Sequence, residues 1–352
     1  MRKLMKGNEA IAEAAIRGGC RYFFGYPITP QNEVPEYMSK RLPEVGGVFI
    51  QSESEVAAIN MVYGASCAGA RAMTSSSSPG ISLKQEGISY IATGELPCVI
   101  LNMVRGGPGL GTIFPAQGDY FQATKGGGHG DYKMLVYTPA SVQEAVDIIY
   151  EAFDKADKYR VITYILGDAT IGQMMEPVEL PEFKDLNNLP VKEWATTGHK
   201  AEEHKIITTL EMNPDKFEGM IDHMYETYEL LKKNEVRYEE YMCEGADTIV
   251  VAYGTVSRIA KTAVAKLREK GYKVGLFRPI TVFPFPEVQI AELAGKKEVK
   301  RFFVTELSKG QMVEDVRLAV NGRKPVEFFG RNGGNVMTAE ELMNEIIKGE
   351  YD

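Results

Sequence analysis

The chain is poorly equipped to bind a metal or an inorganic cluster. Its 352 residues include four cysteines, Cys20, Cys67, Cys98 and Cys243, set far apart and never as Cys-x-x-Cys. A zinc site or an iron–sulfur cluster held by this chain alone is therefore not expected. Isolated cysteines in apolar runs read as small core residues, and a reducing cytoplasm is the predicted compartment. Histidine is equally sparse. His199, His204 and His223 fall in a polar stretch where solvation is expected, and His129 sits among glycines, where a structural role competes with proton transfer. No run of about 18 apolar residues exists, so no membrane span is expected, and the basic start lacks the apolar core of a signal peptide. A net charge of −8 argues against nucleic acid as the partner. The familiar nucleotide motifs are missing too. Gly106–Gly111 is not followed by a helix pattern, Gly126–Gly130 fails the dinucleotide spacing, and no P-loop or Gly-x-Ser-x-Gly elbow occurs.

What is present is an alternation of short apolar strands with helices. Six such strands between Cys20 and Leu166 predict a parallel α/β sheet covered on both faces. Gly47–Ile50 is one of them, and Ala57, Ala58, Met61, Val62 and Ala65 then recur at helical spacing. Pro97–Val104 is the clearest buried strand. Phe114–Asp131 reads as a long loop, of the kind that is functional or disordered. Residues 1–175 form this first unit. Residues 176–245 read as an irregular and helical connector, within which Ala201–Met242, rich in Glu, Lys and Tyr, looks like exposed helix. A second α/β unit spans 246–352, with strands from Asp247, Lys273, Arg301 and Val326 and a proline-rich loop from Pro279 to Pro286.

The chemistry gathers at strand ends, where open α/β sheets bind ligands. Glu55 stands at the start of the helix after Gly47–Ile50. One reading makes it half of a capping box with Ser52, three residues earlier. The other makes it a held carboxylate at a site. Thr29 before Pro30 has the form of a helix N-cap. Arg105 follows the Pro97–Val104 strand, where the plain reading is a surface ion pair.

Several motifs together resemble the 2-oxoacid:ferredoxin oxidoreductase family. They are Tyr26-Pro27-Ile28-Thr29-Pro30, the Glu55 helix, Gly94-Glu95-Leu96-Pro97, Ala116-Gln117-Gly118-Asp119 and His129-Gly130-Asp131. In the second unit Arg278–Thr281, Pro284–Pro286 and Gly310-Gln311-Met312 join them. The resemblance is to the subunit that carries the pyrimidine-binding domain of thiamine diphosphate, and within it to the branched-chain, 2-oxoisovalerate type. It implies a pyrimidine-type α/β domain followed by a transketolase-C-terminal-like α/β domain. It implies that Glu55 hydrogen-bonds N1′ of the aminopyrimidine, with Tyr26, Pro27 and Ile28 beside the cofactor. Thr29 would meet the substrate carbonyl and Arg105 the substrate carboxylate, while Asp119, His129 and Asp131 would shape the pocket.

The resemblance also implies what lies elsewhere. Gly118-Asp119-Tyr120 and Gly167-Asp168-Ala169 do not match the Gly-Asp-Gly motif that holds Mg²⁺ and the diphosphate. The diphosphate half, the Mg²⁺ and the iron–sulfur clusters are therefore expected on partner subunits, together with a gamma-type subunit. The implied reaction is oxidative decarboxylation of a 2-oxoacid with coenzyme A and ferredoxin, 2-oxoglutarate being the second substrate choice. Two rivals stand beside it: a non-catalytic scaffold subunit in which Glu55 is only a cap, and a non-oxidative thiamine enzyme.

Overall fold

The computed structural model describes residues 2–198 and 204–348; His199 lies outside them. The chain opens with β1 (Lys3–Lys6) and α1 (Gly7–Arg17). There follow β2 (Tyr22–Gly25), α2 (Glu33–Glu44), β3 (Val48–Gln51), α3 (Glu55–Cys67), β4 (Ala72–Ser76), α4 (Ser78–Thr93) and β5 (Cys98–Val104). The unit continues through α5 (Tyr120–Thr124), β6 (Leu135–Tyr137), α6 (Val142–Tyr159), β7 (Ile162–Asp168), α7 (Ala169–Gln173) and β8 (Met175–Val178).

Six of these strands form a parallel sheet in the order β6-β7-β5-β4-β2-β3. The sequence is legible in this geometry. The strand Cys98–Val104 is buried along its whole length because β4 and β7 flank it on both sides. α6 buries Val142, Val146, Ile149 and Phe153 at helical spacing; Ser141 caps its first turn and Arg160 ends it in the left-handed region. β4 lies on the other side of β2 from β3, so the crossover through α3 runs opposite to that through α2. Right-handed connections then put α2 and α6 on one face with α1, and α3 and α4 on the other. The strand order reverses beside β2, and four loops meet at the carboxyl ends of β2, β3, β4 and β5.

The connector differs from the expectation of an exposed helix over 201–242. The helix α8 spans Pro214–Asn234 and buries Met224, Tyr228 and Leu231, and β9 (Tyr238–Tyr241) follows it. β8 is also structured and pairs antiparallel with β1.

The second unit contains β10 (Thr248–Val251), α9 (Gly254–Glu269), β11 (Val274–Pro279), β12 (Thr281–Phe283), α10 (Glu287–Gly295), β13 (Arg301–Glu306), α11 (Met312–Val320), β14 (Val326–Gly330) and α12 (Ala339–Lys348). Its sheet runs β14-β13-β10-β11-β9, with only β9 antiparallel. The expected proline-rich loop contains β12, which leaves this sheet and adds an antiparallel seventh strand to the first one beside β6.

Three further contacts bind the units. Arg278 forks onto Glu144 at 2.8 and 2.6 Å. Gln117 bonds Tyr253 and Leu307 of the second unit through its amide, and Tyr120 donates to Asp315 at 2.6 Å. Glu306, the last residue of β13, is fully buried, and its carboxylate accepts from the amides of Gln311, Met312 and Val313 at the start of α11. Burial raises its carboxyl pKa above the ordinary value.

Candidate active site

Glu55 has no part in capping its helix. Ser54 takes the extended conformation before α3 and its hydroxyl accepts the Ala57 N–H at 3.2 Å. The expected Ser52–Glu55 box is thereby corrected: Ser52 lies two residues before the cap, its hydroxyl 3.7 Å from Met61 Sδ and its amide bonded to the Gly25 carbonyl at 2.9 Å. The short loop from Ser52 to Ser54 is pinned to the end of β2. Glu55 becomes the first helical residue, and it is buried, with 7 % of its surface exposed, its carboxylate lying against α4 at Gly80.

The space for that carboxylate is made by Gly80. A Cβ at position 80 would stand 2.6 Å from Glu55 Oε1 and 2.1 Å from Ser76 Oγ. β4 runs on through Ser76, and α4 starts at Ser78. The hydroxyls of Ser76 and Ser77 are buried there without a hydrogen-bond partner. Unpaired buried polar atoms beside an uncommitted carboxylate mark a place for a polar ligand.

Arg105 and Thr29 meet at the neighbouring strand ends. The Arg105 guanidinium is buried, so the alternative of a surface ion pair is corrected. Nη1 donates to the Thr29 carbonyl at 2.9 Å and Nη2 to the Leu110 carbonyl at 3.0 Å, while Nε has no partner. Ser78 joins Arg105 to α4 by hydrogen bonds to its backbone at 3.1 and 3.2 Å. Thr29 is not the N-cap that its sequence suggests, because α2 begins only at Glu33. Its hydroxyl accepts a long bond from Asn32 Nδ2 at 3.4 Å. Tyr26, Pro27 and Ile28 form the partly exposed turn leading to it, tied to β4 through Gln31, which receives the Ser75 hydroxyl.

Two cavities open beside this cluster. One, of about 400 Å³, is lined by Thr29, Ile113, Phe114, Pro115, Ala169 and Glu33 among others. The other, of about 530 Å³, lies between Ser78, the 106–109 turn and Asp119 on one side and Ser308 and Gln311 of the second unit on the other. Asp119 accepts from Asn102 at 2.9 Å, and burial raises its carboxyl pKa. It sits inside the loop expected over Phe114–Asp131, which contains the short helix α5.

The structure brings together Glu55, Thr29, Arg105, Asp119 and the Tyr26–Ile28 turn. It does not bring His129 and Asp131 to them. Both are exposed, and the His129 ring stands edge-on to Tyr90, 6.4 Å away. Tyr90 lies ten residues along α4 from Gly80, roughly 15 Å away. Of the remaining histidines, His223 pairs with Glu95 at 2.9 Å and is largely exposed. The sequence reading missed Lys84, one turn beyond Gly80 and fully buried. The available signal was a lysine between Gly80 and Gly87 on one helical stripe.

Two family models match successive parts of the chain. Residues 13–243 match the family of pyruvate flavodoxin/ferredoxin oxidoreductases, thiamine diphosphate-binding, and residues 246–342 match pyruvate:ferredoxin oxidoreductase core domain II. The chain is 48% identical over 344 residues to the ketoisovalerate oxidoreductase subunit VorB of Methanothermobacter thermautotrophicus, covering 98% of this chain and 97% of that one. It is 36% identical to the 2-oxoglutarate synthase subunit KorA of Methanocaldococcus jannaschii, covering 98% and 99%. Among solved structures it is similar to the 2-oxoglutarate:ferredoxin oxidoreductase of Magnetococcus marinus with 2-oxoglutarate, coenzyme A and succinyl-CoA bound. The TM-score is 0.87 at 26% identity; the match covers 99% of this chain and spans 65% of that chain's length.

Proposed function

Because the chain belongs to the 2-oxoacid:ferredoxin oxidoreductase family, we propose that it presents the pyrimidine half of a thiamine diphosphate site. The complex around it converts a branched-chain 2-oxoacid and coenzyme A to acyl-CoA and CO₂ while reducing ferredoxin. On this reading residues 1–175 carry the site, 176–245 are the connector and 246–352 close one side of it. The observation that carries the reading is the buried Glu55 carboxylate, released from capping by Ser54 and given room by Gly80.

The residues present fit the cofactor. Glu55 offers an acceptor in a dry notch, and the unpaired Ser76 and Ser77 hydroxyls offer further polar contacts. Bound there, thiamine diphosphate supplies a carbon nucleophile and an electron sink. Glu55 holds a proton at pyrimidine N1′. Arg105, fixed by two carbonyls, has an unpaired Nε–H that would serve the substrate carboxylate, and the Thr29 hydroxyl would donate to the carbonyl oxygen where negative charge develops. Ile113, Phe114 and Pro115 give the cavity beside Thr29 an apolar side. We assign the diphosphate-binding Mg²⁺ and the iron–sulfur clusters to partner subunits, on the absence of a Gly-Asp-Gly motif and of clustered cysteines from this sequence. A gamma-type subunit completes the complex.

An aliphatic substrate side chain suits the apolar wall of the 400 Å³ cavity, whose described lining residues include no lysine or arginine to pair with the second carboxylate of 2-oxoglutarate. The 48% identity to a ketoisovalerate subunit supports the same choice. The test is anaerobic purification of the native complex and a dye-reduction assay with coenzyme A across a panel of 2-oxoacids. Reduction should require both substrates and be fastest with branched chains. Glu55→Gln should leave assembly intact and cut turnover by about 10²-fold or more, the scale of a lost acid–base group. Normal turnover in that variant would refute the assignment of Glu55.

A further inference from the structure

Lys84 is the only lysine or arginine among the described residues with no exposed surface. Gly80, Lys84 and Gly87 fall at i, i+4 and i+7, one stripe of α4. That stripe faces α3. A Cβ at Gly80 would meet Glu55 Oε1 at 2.6 Å, and one at Gly87 would meet Ile59 Cγ2 at 2.6 Å. Glu55 and Ile59 are themselves one turn apart. Lys84 therefore enters the α3–α4 seam between two glycine notches, a single turn from the Glu55 pocket.

Helical side chains lean toward the N-terminus of their helix, which carries the ammonium back to the end of β4. It donates to Thr74 Oγ1 at 2.7 Å and to the Ser75 carbonyl at 3.1 Å. From α3 it faces Glu55; from β4 it meets only the neutral Thr74 and Ser75 groups. β5 and α8, which also pack on α4, present it no acting charge among the described residues. An apolar side chain of the same length would fill this seam without desolvating an ammonium, so packing alone does not call for a lysine. Burial is complete within this chain, so no partner is needed to bring it about.

We propose that Lys84 is a positioning residue for Glu55, its ammonium being the fixed positive neighbour against which the carboxylate is presented to the pyrimidine nitrogen. The proposal rests on the Glu55 reading given above. Burial pushes the Lys84 pKa down to about 7, opposed by the attraction of Glu55, so its charge is present below that pH and fades above it. A positive charge one turn away opposes protonation of the Glu55–pyrimidine pair.

The experiment places Lys84→Met and Lys84→Gln in the assembled native complex. Thiamine diphosphate affinity of the cofactor-stripped complex and kcat/KM are each measured across pH 5.5 to 9. Both neutral variants should move the acid limb of both profiles to higher pH by about one unit, the size of one such charge at protein-like dielectric. Unchanged limbs in both variants, with Glu55→Gln inactive, would overturn the role of Lys84 and leave that of Glu55 standing. An active Glu55→Gln would instead strike the underlying reading. If Lys84→Met fails to assemble, Lys84→Gln carries the comparison; failure of both would make Lys84 a residue of the fold and overturn the proposal.

Discussion

Gly80→Ala is a one-carbon test of how the site is built. The new Cβ would lie 2.6 Å from Glu55 Oε1, 3.0 Å from Glu55 Cγ and 2.1 Å from Ser76 Oγ. All three atoms belong to side chains, so the helix can stay where it is and the carboxylate must retreat, by roughly 1 Å to reach an ordinary contact. Alanine also raises helix propensity by about 1 kcal/mol over glycine, which offsets much of the steric cost. Stability should therefore change little. Activity should not survive so well, since a misplacement of about 1 Å in a catalytic group is worth about 10²-fold. The assay is kcat/KM for the preferred 2-oxoacid beside the thermal midpoint of the complex. Gly219→Ala is the control: Gly219 is inside α8 with nothing near its added Cβ, and its substitution should stabilise by about 1 kcal/mol at unchanged activity. A Gly80→Ala complex with full kcat/KM would refute the claim that the notch places Glu55.

Two further outcomes follow from the same geometry. The folded-state pKa of Lys84 is depressed from 10.5 to about 7, so between these values the unfolded chain holds a proton that the folded chain has shed. Stability from this group is present above 10.5 and lost as pH falls through 7; wild type should gain stability on Lys84→Met from pH 7 to 10, at about 1.4 kcal/mol per unit of separation at most, read from denaturant midpoints. Arg105→Lys loses the fork that holds the Thr29 and Leu110 carbonyls and offers the substrate a single point charge. KM for the 2-oxoacid should rise by about 10-fold or more with thiamine diphosphate affinity unchanged, and an unaltered KM would exclude Arg105 from carboxylate binding.

The sequence alone determined the layers: apolar runs of strand length joined by helices of period 3.6 leave a parallel sheet as the arrangement that buries both faces. Glu55 was legible as a carboxylate held at a strand end, whereas Thr29 and Arg105 were singled out by the family motifs they resemble. Which hydroxyl capped α3 was undecidable locally, since Ser52 and Ser54 both stand before Glu55. The pairing of Ser52 with Gly25 on the neighbouring strand decided it, and so freed the carboxylate. Thr29 has the local form of a cap, but the turn after β2 runs on to Asn32 before the helix begins. His129 and Asp131 are near the site in sequence order and far from it in space, because the loop that carries them folds along α4 toward Tyr90. β12 was hidden because three residues in a proline-rich loop carry no strand signal until β6 offers an edge. Lys84 was hidden for the deepest reason. A lysine on a helix reads as solvated, and only the packing of α4 on α3, through Gly80 and Gly87, shows that its charge is sealed beside Glu55. Periodicity is written along the chain, but burial and the partners of a charge belong to the seam between elements.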